Sequence, residues 1–325
     1  MINLPLLLER NRILRAVRGY FDSDGFIEVD TPILQLSPGM EIHLKAFETK
    51  LESVDGQGGK MLYLHTSPEF AMKKLVASGL KKIYQFSHVF RNEIVSRTHY
   101  PEFIMLEWYR AGVDYTALME DCSQILALAA PILRRGELEC RTDLTPDKLT
   151  VAEAFDRYAG IDIFATMGDR DRLAAFAAPH ANITPHDSWD DIFDKLMMSK
   201  IEPCLGIGRP TILCEYPIHM AALSRPKPGS PKVAERFELY ACSLELANAF
   251  SELTDAAAQR ARFEADMAEK LRLYGKSYPI DSDFLSAVER MPETAGIALG
   301  IDRLIMLATS APDIRGVLWS EIPGL

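Results

Sequence analysis

The amino-acid sequence predicts an α+β fold in which a mostly antiparallel β-sheet is flanked by helices. Amphipathic helical segments and short strands interleave irregularly along the chain, whereas a doubly wound parallel sheet requires a regular alternation of strands and helices. Hydrophobic residues make up 48% of the 325 residues and charged residues 25%, so the chain can bury a substantial core without disulfides. No segment approaches the roughly 18 consecutive apolar residues of a membrane-spanning helix.

Local signals predict the elements of the first 140 residues. Residues 6–25 carry apolar side chains at helical spacing, and Asp24-Gly25 provides a stop signal. Ser67 is a natural helix cap and Pro68 suits the first helical position, so a helix is expected from there to Leu80. Strands are expected at 26–32, 43–54, 61–65, 83–93 and 102–111, with a turn at 55–60, a polar loop at 94–101 and a further helix at 114–135.

The rest of the chain begins with a mainly helical segment at about 140–205. Residues 224–232 contain three prolines and one glycine, which predicts an exposed loop. The other expected elements are helices at 151–159, 187–200, 255–274 and 282–291, strands at 211–217 and 233–248, and a final unit in which strand 294–299, Gly300 and helix 301–309 follow one another.

Charge and cysteine content exclude several classes of protein. The formal net charge is −10, which argues against a non-specific nucleic-acid binder but leaves room for a local basic pocket. The five cysteines are odd in number and have no CxxC spacing, so neither a disulfide framework nor a zinc site is predicted. Reduced thiols favour a cytoplasmic protein.

The strands at 83–93 and 102–111 carry the first candidate site. Side chains alternate between the two faces of a strand, so Arg91 and Glu93 share one face of the first strand, and Phe103, Glu107 and Tyr109 share one face of the second. An arginine fork suits a phosphate or a carboxylate, and the phenylalanine offers a flat surface to a base. The alternative is an ordinary half-solvated sheet.

Two further clusters lie near the C-terminus. Glu245, Asn248 and Glu252 place two carboxylates and an amide at the end of a predicted strand; they suit Mg²⁺ or a substrate ammonium, or they are a surface acidic pair. Gly296 and Gly300 flank a short strand that enters a helix carrying Arg303 in its first turn. This arrangement allows an anion to approach the backbone closely, or simply reflects tight packing.

Three segments of the chain, two of which contain these clusters, resemble in order the three motifs of class II aminoacyl-tRNA synthetases. The segment Ile13–Pro32 resembles the first motif, and Gly296–Leu304 resembles the third. The second motif is resembled by three runs, Phe90-Arg-Asn-Glu93, His99-Tyr-Pro-Glu-Phe103 and Leu106-Glu-Trp-Tyr109. Thr66-Ser-Pro-Glu69 and Glu245-Leu-Ala-Asn248 are similar to the lysyl subgroup. The resemblance covers essentially the whole chain and implies a single ATP-dependent, AMP-forming catalytic domain over 1–325 with a helical insertion at about 140–205. It also implies a homodimer formed through the first motif.

Two departures from lysyl-tRNA synthetases point to one branch of the family. The first motif begins about ten residues from Met1, so no anticodon-binding domain is expected, and Ala298 replaces a glycine of the third motif. Both features resemble the ligases that activate (R)-β-lysine, or lysine less well, and attach it to elongation factor P. Tyr100, in place of an asparagine, and the ending Val317–Leu325 depart from that branch.

The resemblance implies specific roles for individual residues. Arg91 and Arg303 are the expected catalytic residues, and Mg²⁺ is expected at Glu245 and Glu252. The expected ATP-binding residues are Arg91, Asn92, Glu93, His99, Tyr100, Phe103, Glu245, Leu246, Gly300 and Arg303. The expected amino-acid-binding residues are Ser67, Pro68, Glu69, Glu107, Tyr109, Asn248, Glu252 and Ala298.

Two other functions remain open from the sequence. One is a truncated lysyl-tRNA synthetase-like enzyme that activates α-lysine for tRNA or another acceptor, although the acidic chain counts against tRNA. The other is a non-catalytic relative that only binds an amino acid. The presence of both Arg91 and Arg303 counts against this second function.

Overall fold

The computed structural model describes residues 3–53, 58–221 and 223–324 and confirms the α+β fold. Within these residues the central sheet has nine strands. They are β1 (Ile27–Glu28), β5 (Lys82–Phe90), β6 (Glu102–Ala111), β9 (Asp147–Thr150), β10 (Thr211–Pro217), β11 (Pro226–Lys227), β12 (Ser230–Ala241), β13 (Leu244–Ser251) and β14 (Thr294–Gly300). A small sheet consists of β2 (Leu34–Gln35), β3 (Glu48–Glu52) and β4 (Gly59–Leu64), and a hairpin of β7 (Ile132–Arg135) and β8 (Leu138–Arg141).

The central sheet is mostly antiparallel, as predicted. Its strand order is β1-β5-β6-β14-β13-β12-β10-β9, with β11 beside β12. Among the described strands, the parallel pairs are β1–β5 and β9–β10, at the two edges. The order brings β5 and β6 next to β14 and β13, although these strands lie far apart in the sequence. All three candidate clusters therefore meet in the middle of one sheet.

Helices cover one face of the sheet and border the other. They are α1 (Leu4–Ser23), α2 (Glu69–Ala77), α3 (Thr116–Ala129), α4 (Val151–Ala159), α5 (Arg170–Ala177), α6 (Trp189–Leu196), α7 (Ala256–Tyr274), α8 (Ser282–Val288) and α9 (Ile301–Ala308). The main core joins α1, α3 and α9 to the sheet through side chains such as Phe21, Trp108 and Leu304. Helices α4–α6 form a separate core with Leu213 and Tyr240. None of the described helices is long and apolar enough to cross a membrane.

A buried ion pair joins the first helix to the last. Arg10 of α1 and Asp302 of α9 form it, and both are 1% exposed. The Asp302 carboxylate also accepts the backbone N–H of Ile104 in β6 at 2.7 Å, and the Arg10 guanidinium donates to the carbonyl of Val317 at 3.1 Å. These contacts fix the first turn of α9 against the sheet.

The predicted strand at 233–248 is wrong, because the chain turns back at Cys242 and Ser243. Both residues have positive φ angles, 52° and 55°, which are costly for residues other than glycine, asparagine and aspartate. Their N–H groups donate to the carbonyls of Gly206 and Leu205 at 2.8 and 3.0 Å. A neighbouring segment thus holds the turn, and no Asn-Gly signal marks it in the sequence.

Other boundaries also differ from the predictions. The helix expected at 114–135 ends at Ala129, because the following chain forms the β7–β8 hairpin. The loop expected at 224–232 is largely a hairpin of β11 and β12 that turns at Gly229, whose φ is 75°. The strand expected at 26–32 is reduced to two residues. Residues 55–57 of the turn predicted at 55–60, and residue 54 before it, lie outside the described residues.

Candidate active site

Two adjoining cavities open on the face of the sheet opposite α1 and α3. The outer pocket, of about 370 Å³, lies among the loop after β5, the start of β13 and the first turn of α9. The inner pocket, of about 380 Å³, lies among residues 35–43, the start of α2 and α7. Glu41 and Asn248 line both pockets, so a ligand of one pocket can touch a ligand of the other.

The outer pocket gathers most of the residues predicted to bind ATP. Arg91 follows β5, and its backbone N–H donates to the carbonyl of Pro101 at 2.9 Å. Its guanidinium carbon lies 5.3 Å from the ring centre of Phe103, and its Nε has no hydrogen-bond partner among the described residues. The others that line this pocket are Glu93, His99, Tyr100, Glu245, Leu246, Gly300 and Arg303.

Arg303 is held across the pocket from Arg91. Its guanidinium donates to the carbonyl of Glu245 at 2.9 Å and to His99 Nε2 at 2.7 Å. Burial and the nearby Arg303 charge lower the pKa of His99, so the imidazole is neutral and its Nδ1–H donates to Ser96 Oγ at 2.8 Å. Burial also lowers the pKa of Arg303, and the charge of Arg91 acts in the same direction. Two arginines that repel each other across a cavity form a site for an anion.

The inner pocket leads to a buried carboxylate, Glu107. Ser67 Oγ donates to its Oε1 at 2.5 Å, and the Tyr109 hydroxyl donates to its Oε2 at 2.8 Å. Burial, followed by the charge of Glu69, raises the pKa of Glu107 to about 8. Ser67, Pro68, Glu69 and Asn248 line the pocket, whereas Glu107 and Tyr109 lie directly behind this lining and are 1% and 2% exposed.

A second buried carboxylate, Glu252, lies beside Lys73 of α2. Lys73 Nζ is 2.5 Å from Glu252 Oε2 and also pairs with Glu69. Burial raises the pKa of Glu252 to about 8, although the Lys73 charge acts against this shift. A side chain at Gly296 would place its Cβ 2.3 Å from both Glu252 and the Tyr109 ring. Glycine at this position is therefore required by the close approach of the two side chains.

The family assignment agrees with this geometry. The model of the family "tRNA synthetases class II (D, K and N)" matches residues 5–319. The chain belongs to this family. It is 40% identical over 99% of its length to the elongation factor P–(R)-β-lysine ligase of Vibrio cholerae, covering 96% of that protein. It is 38% identical over 96% of its length to the ligase of the same name from Proteus mirabilis, covering 93% of that protein.

The structure does not bring together Glu245 and Glu252, the two residues predicted to bind Mg²⁺. Glu245 and Glu252 lie at opposite ends of β13, and seven residues of extended chain span roughly 20 Å. Carboxylates that share one Mg²⁺ must each approach it to about 2.1 Å. Glu252 is instead engaged by Lys73. The described residues contain no cluster of three or more histidine, cysteine, aspartate or glutamate side chains suited to a metal.

Glu238 is the carboxylate neighbour of Glu245 that the sequence prediction missed. The turn at Cys242 and Ser243 pairs β12 with β13, and both glutamates line one side cavity of about 260 Å³. Burial and the charge of Glu238 raise the pKa of Glu245 to about 7. Glu245 also lines the outer pocket, whereas Glu238 does not, and the two Glu238 oxygens accept hydrogen bonds from Arg236 and from the Tyr240 hydroxyl, each at 2.6 Å. Glu245 is therefore the carboxylate of this pair that faces the outer pocket and suits Mg²⁺ bound together with phosphates.

Two predicted ATP contacts have other surroundings. Asn92 lines an open groove beside the outer pocket rather than the pocket itself, and its backbone N–H donates to the carbonyl of Lys45 at 2.7 Å. The ring of Tyr100 lines the outer pocket, but its hydroxyl accepts the N–H of Ile322 at 2.6 Å. Tyr100 thus links the C-terminal segment to the outer pocket. The two features in which this chain departs from the ligase branch, Tyr100 and the ending Val317–Leu325, are therefore in contact with each other.

Ala298 occupies a central position in the floor of the candidate site. It lies between Asn248 of β13 and Glu107 of β6 in the register of the sheet, and it lines the outer pocket. Glu41, in the loop above, was not predicted. Its loop is held by Lys270 of α7, whose ammonium donates to the carbonyls of Glu41, Ile42 and Leu44 at 2.9, 2.8 and 2.5 Å.

Proposed function

We propose that this chain activates (R)-β-lysine with ATP and transfers it to a lysine side chain of elongation factor P. The observation that carries this proposal is that an arginine-lined pocket and a carboxylate-lined pocket meet at Asn248. The names of the relatives, which match the chain along nearly its whole length, supply the identity of the amino acid and the acceptor. In this proposal the chain works in the cytoplasm, and it is a single catalytic domain with a helical insertion at about 140–205.

The outer pocket is proposed to bind ATP. The Arg91 guanidinium has free hydrogen-bonding capacity and is assigned to the α-phosphate, whereas Phe103 is assigned to the adenine ring. Arg303 contacts the ligand from the opposite side. The other proposed ATP residues are Asn92, Glu93, His99, Tyr100, Glu245, Leu246 and Gly300. If Mg²⁺ accompanies the nucleotide, Glu245, which lines the outer pocket, would hold it, and the ion would neutralise phosphate charge.

Activation requires no nucleophile from the protein. A carboxylate oxygen of the amino acid attacks the α-phosphorus of ATP, the bond to the bridging oxygen breaks, and pyrophosphate leaves. Arg91 stabilises the negative charge on the α-phosphate oxygens in the transition state. The acceptor amine then attacks the carbonyl carbon of the adenylate, AMP leaves with the bonding electrons, and the amine nitrogen loses a proton to form an amide.

The inner pocket is proposed to bind the side chain of the amino acid. A buried ammonium needs carboxylates in place of its water, and Glu69, Glu107 and Glu252 are grouped there. Ser67, Pro68, Tyr109 and Asn248 complete the proposed site, and Ala298, which lines the outer pocket, borders it beside Asn248.

Substrate binding should tighten as the pH rises from 6 to 8. The pKa values of Glu107 and Glu252 are near 8 in the free protein, so both carboxyls are largely protonated at pH 6, whereas the substrate ammonium, with a pKa of about 10.4, stays charged. Binding then releases protons, and KM for the amino acid should fall by up to about tenfold per pH unit for each proton released. KM measured at several pH values checks this, and a flat profile would contradict it.

Substitution of Ala298 by glycine should shift preference toward α-lysine. The Ala298 methyl group lies between Asn248 and Glu107, where it limits the position of the backbone of the substrate. Its removal should lower the ratio of kcat/KM for (R)-β-lysine to that for α-lysine by about tenfold, since one methyl group in a pocket is worth about 1–3 kcal/mol. The two substrates are compared in parallel assays, and an unchanged ratio would refute control by this residue.

The proposed function is tested by amino-acid-dependent exchange of pyrophosphate into ATP. The expected result is exchange strongest with (R)-β-lysine, followed by a mass increase of elongation factor P equal to one β-lysyl group, the mass of β-lysine less one water. Exchange with α-lysine alone would contradict the proposed substrate, and no exchange with any amino acid would refute the proposed reaction.

We also propose that the chain is a homodimer. The surface near α1 and β1 exposes Leu4, Leu8, Ile27, Ile33, Leu34 and Leu36, and an apolar patch of this kind favours association. Light scattering with size-exclusion chromatography measures the mass in solution, and a monomer of 36.4 kDa would refute the dimer.

A further inference from the structure

Lys73 is a buried cation that the proposed reaction does not use. It lies in α2, four residues after Glu69, and only 2% of it is exposed. Its ammonium forms ion pairs with Glu69 of the same helix and Glu252 at the end of β13. A lysine is almost never fully buried unless it is paired, and here its two partners are carboxylates proposed to receive the substrate ammonium.

The charges around Lys73 are unbalanced without a ligand. The carboxyls of Glu69, Glu107 and Glu252 form one cluster with the Tyr109 hydroxyl, and Lys73 is the cation that the structure places among them. Burial alone would lower the pKa of Lys73, but Glu252 and Glu69 raise it above its usual value. The same lysine charge opposes the upward shift in the pKa of Glu252 and of Glu107.

We propose that Lys73 is a positioning residue that prepares the inner pocket for an amine. Its ammonium bridges a carboxylate on a helix to a carboxylate on the sheet, and it thereby holds both at fixed positions before the substrate arrives. It also favours the charged form of these groups, which the substrate ammonium requires. This inference rests on the proposed function, because it assigns the inner pocket to the cationic amino acid.

Substitution of Lys73 by methionine, which keeps the apolar stem and removes the charge, tests the proposal. KM for the amino acid should rise at least about tenfold, because a positive charge as close as that of Lys73 lowers the pKa of a neighbouring carboxyl by about 1–3 units. KM for ATP should stay within about twofold. The pH at which kcat/KM for the amino acid is half-maximal should rise by about one unit or more. Lys73→Arg, which keeps the charge, should restore the profile of the unsubstituted protein to within about half a unit.

Lys74→Met is the matched control. Lys74 is the next residue of α2, is one-third exposed and pairs with Asp281 at 2.6 Å, away from the inner pocket; its kinetics and pH profile should not change. Equal loss of activity toward both substrates in Lys73→Met, with no shift in the pH profile, would overturn the proposal. If Lys73→Met does not fold, Lys73→Gln repeats the test. Failure of both to fold while Lys73→Arg folds would assign Lys73 to stability alone and would also overturn it.

The result can be separated from the outcome for the proposed function. The rise in melting temperature caused by lysine or (R)-β-lysine reports binding without catalysis. If the unsubstituted protein shows no exchange but is stabilised by lysine, the proposed reaction fails and Lys73 is still tested by the loss of this stabilisation in Lys73→Met. Undiminished stabilisation in that variant would overturn the role of Lys73.

Discussion

Substitution of Arg91 by alanine should lower the rate of adenylate formation by about a hundred- to a thousandfold. This is the magnitude expected when one preorganised donor to a developing negative charge is lost. The Arg91 Nε has no partner among the described residues, so the melting temperature should not change. Single-turnover measurement of adenylate formation checks the rate, and thermal unfolding checks the fold.

Arg209→Ala is a suitable control for this experiment. Arg209 is an exposed arginine that pairs with Asp147 at 3.5 Å, outside both pockets, and its loss should leave the rate unchanged. Near-normal adenylate formation by Arg91→Ala would contradict the role assigned to Arg91. A large loss in both variants would show that the assay reports general damage rather than a function of the outer pocket.

Substitution of Glu252 by glutamine should raise KM for the amino acid by roughly a hundredfold. The variant leaves Lys73 with only Glu69 as a partner and removes one carboxylate from the proposed ammonium site, and the loss of one member of a buried charge pair costs about 2–5 kcal/mol. KM for ATP should change little, because Glu252 does not line the outer pocket. Steady-state exchange assays with each substrate varied in turn separate the two effects.

Glu264→Gln provides the comparison for Glu252→Gln. Glu264 is an exposed residue of α7 whose ion pair with Arg260 measures 4.0 Å, and its substitution should leave both KM values unchanged. If the amino-acid KM of Glu252→Gln equals that of the unsubstituted protein, the carboxylate does not bind the substrate. In that case Glu252 would serve only to neutralise Lys73.

Local sequence patterns predicted parts of both pockets. Strand alternation correctly placed Glu107 and Tyr109 on one face of β6, where they hydrogen-bond to each other, and Leu106 and Trp108 on the other face, in the main core. The short unit of strand, Gly300 and helix was also found, and Arg303 lies in the first turn of that helix. These features depend on residues close together in the sequence.

The parts that were missed depend on contacts between distant segments. Glu238 escaped notice because nothing in the sequence marks the turn at Cys242 and Ser243, which the carbonyls of Gly206 and Leu205 stabilise. Lys73 has the spacing of an ordinary surface ion pair with Glu69, and its burial appears only when Glu252 is placed against α2. The role of a charged residue depends on the residues that surround it in the folded chain, and a single sequence does not show which distant segments these are.

The ion pair between Arg10 and Asp302 has a consequence for synthesis of the protein on the ribosome. Its partners are 292 positions apart, and Asp302 immediately precedes the arginine of the outer pocket. Arg10 of the N-terminal helix therefore has no Asp302 to pair with until nearly all of these residues have emerged from the ribosome, and until then its side chain stays exposed. Contacts of such long range form late, so the outer pocket is completed among the last events of folding, and a prematurely ended chain cannot acquire it.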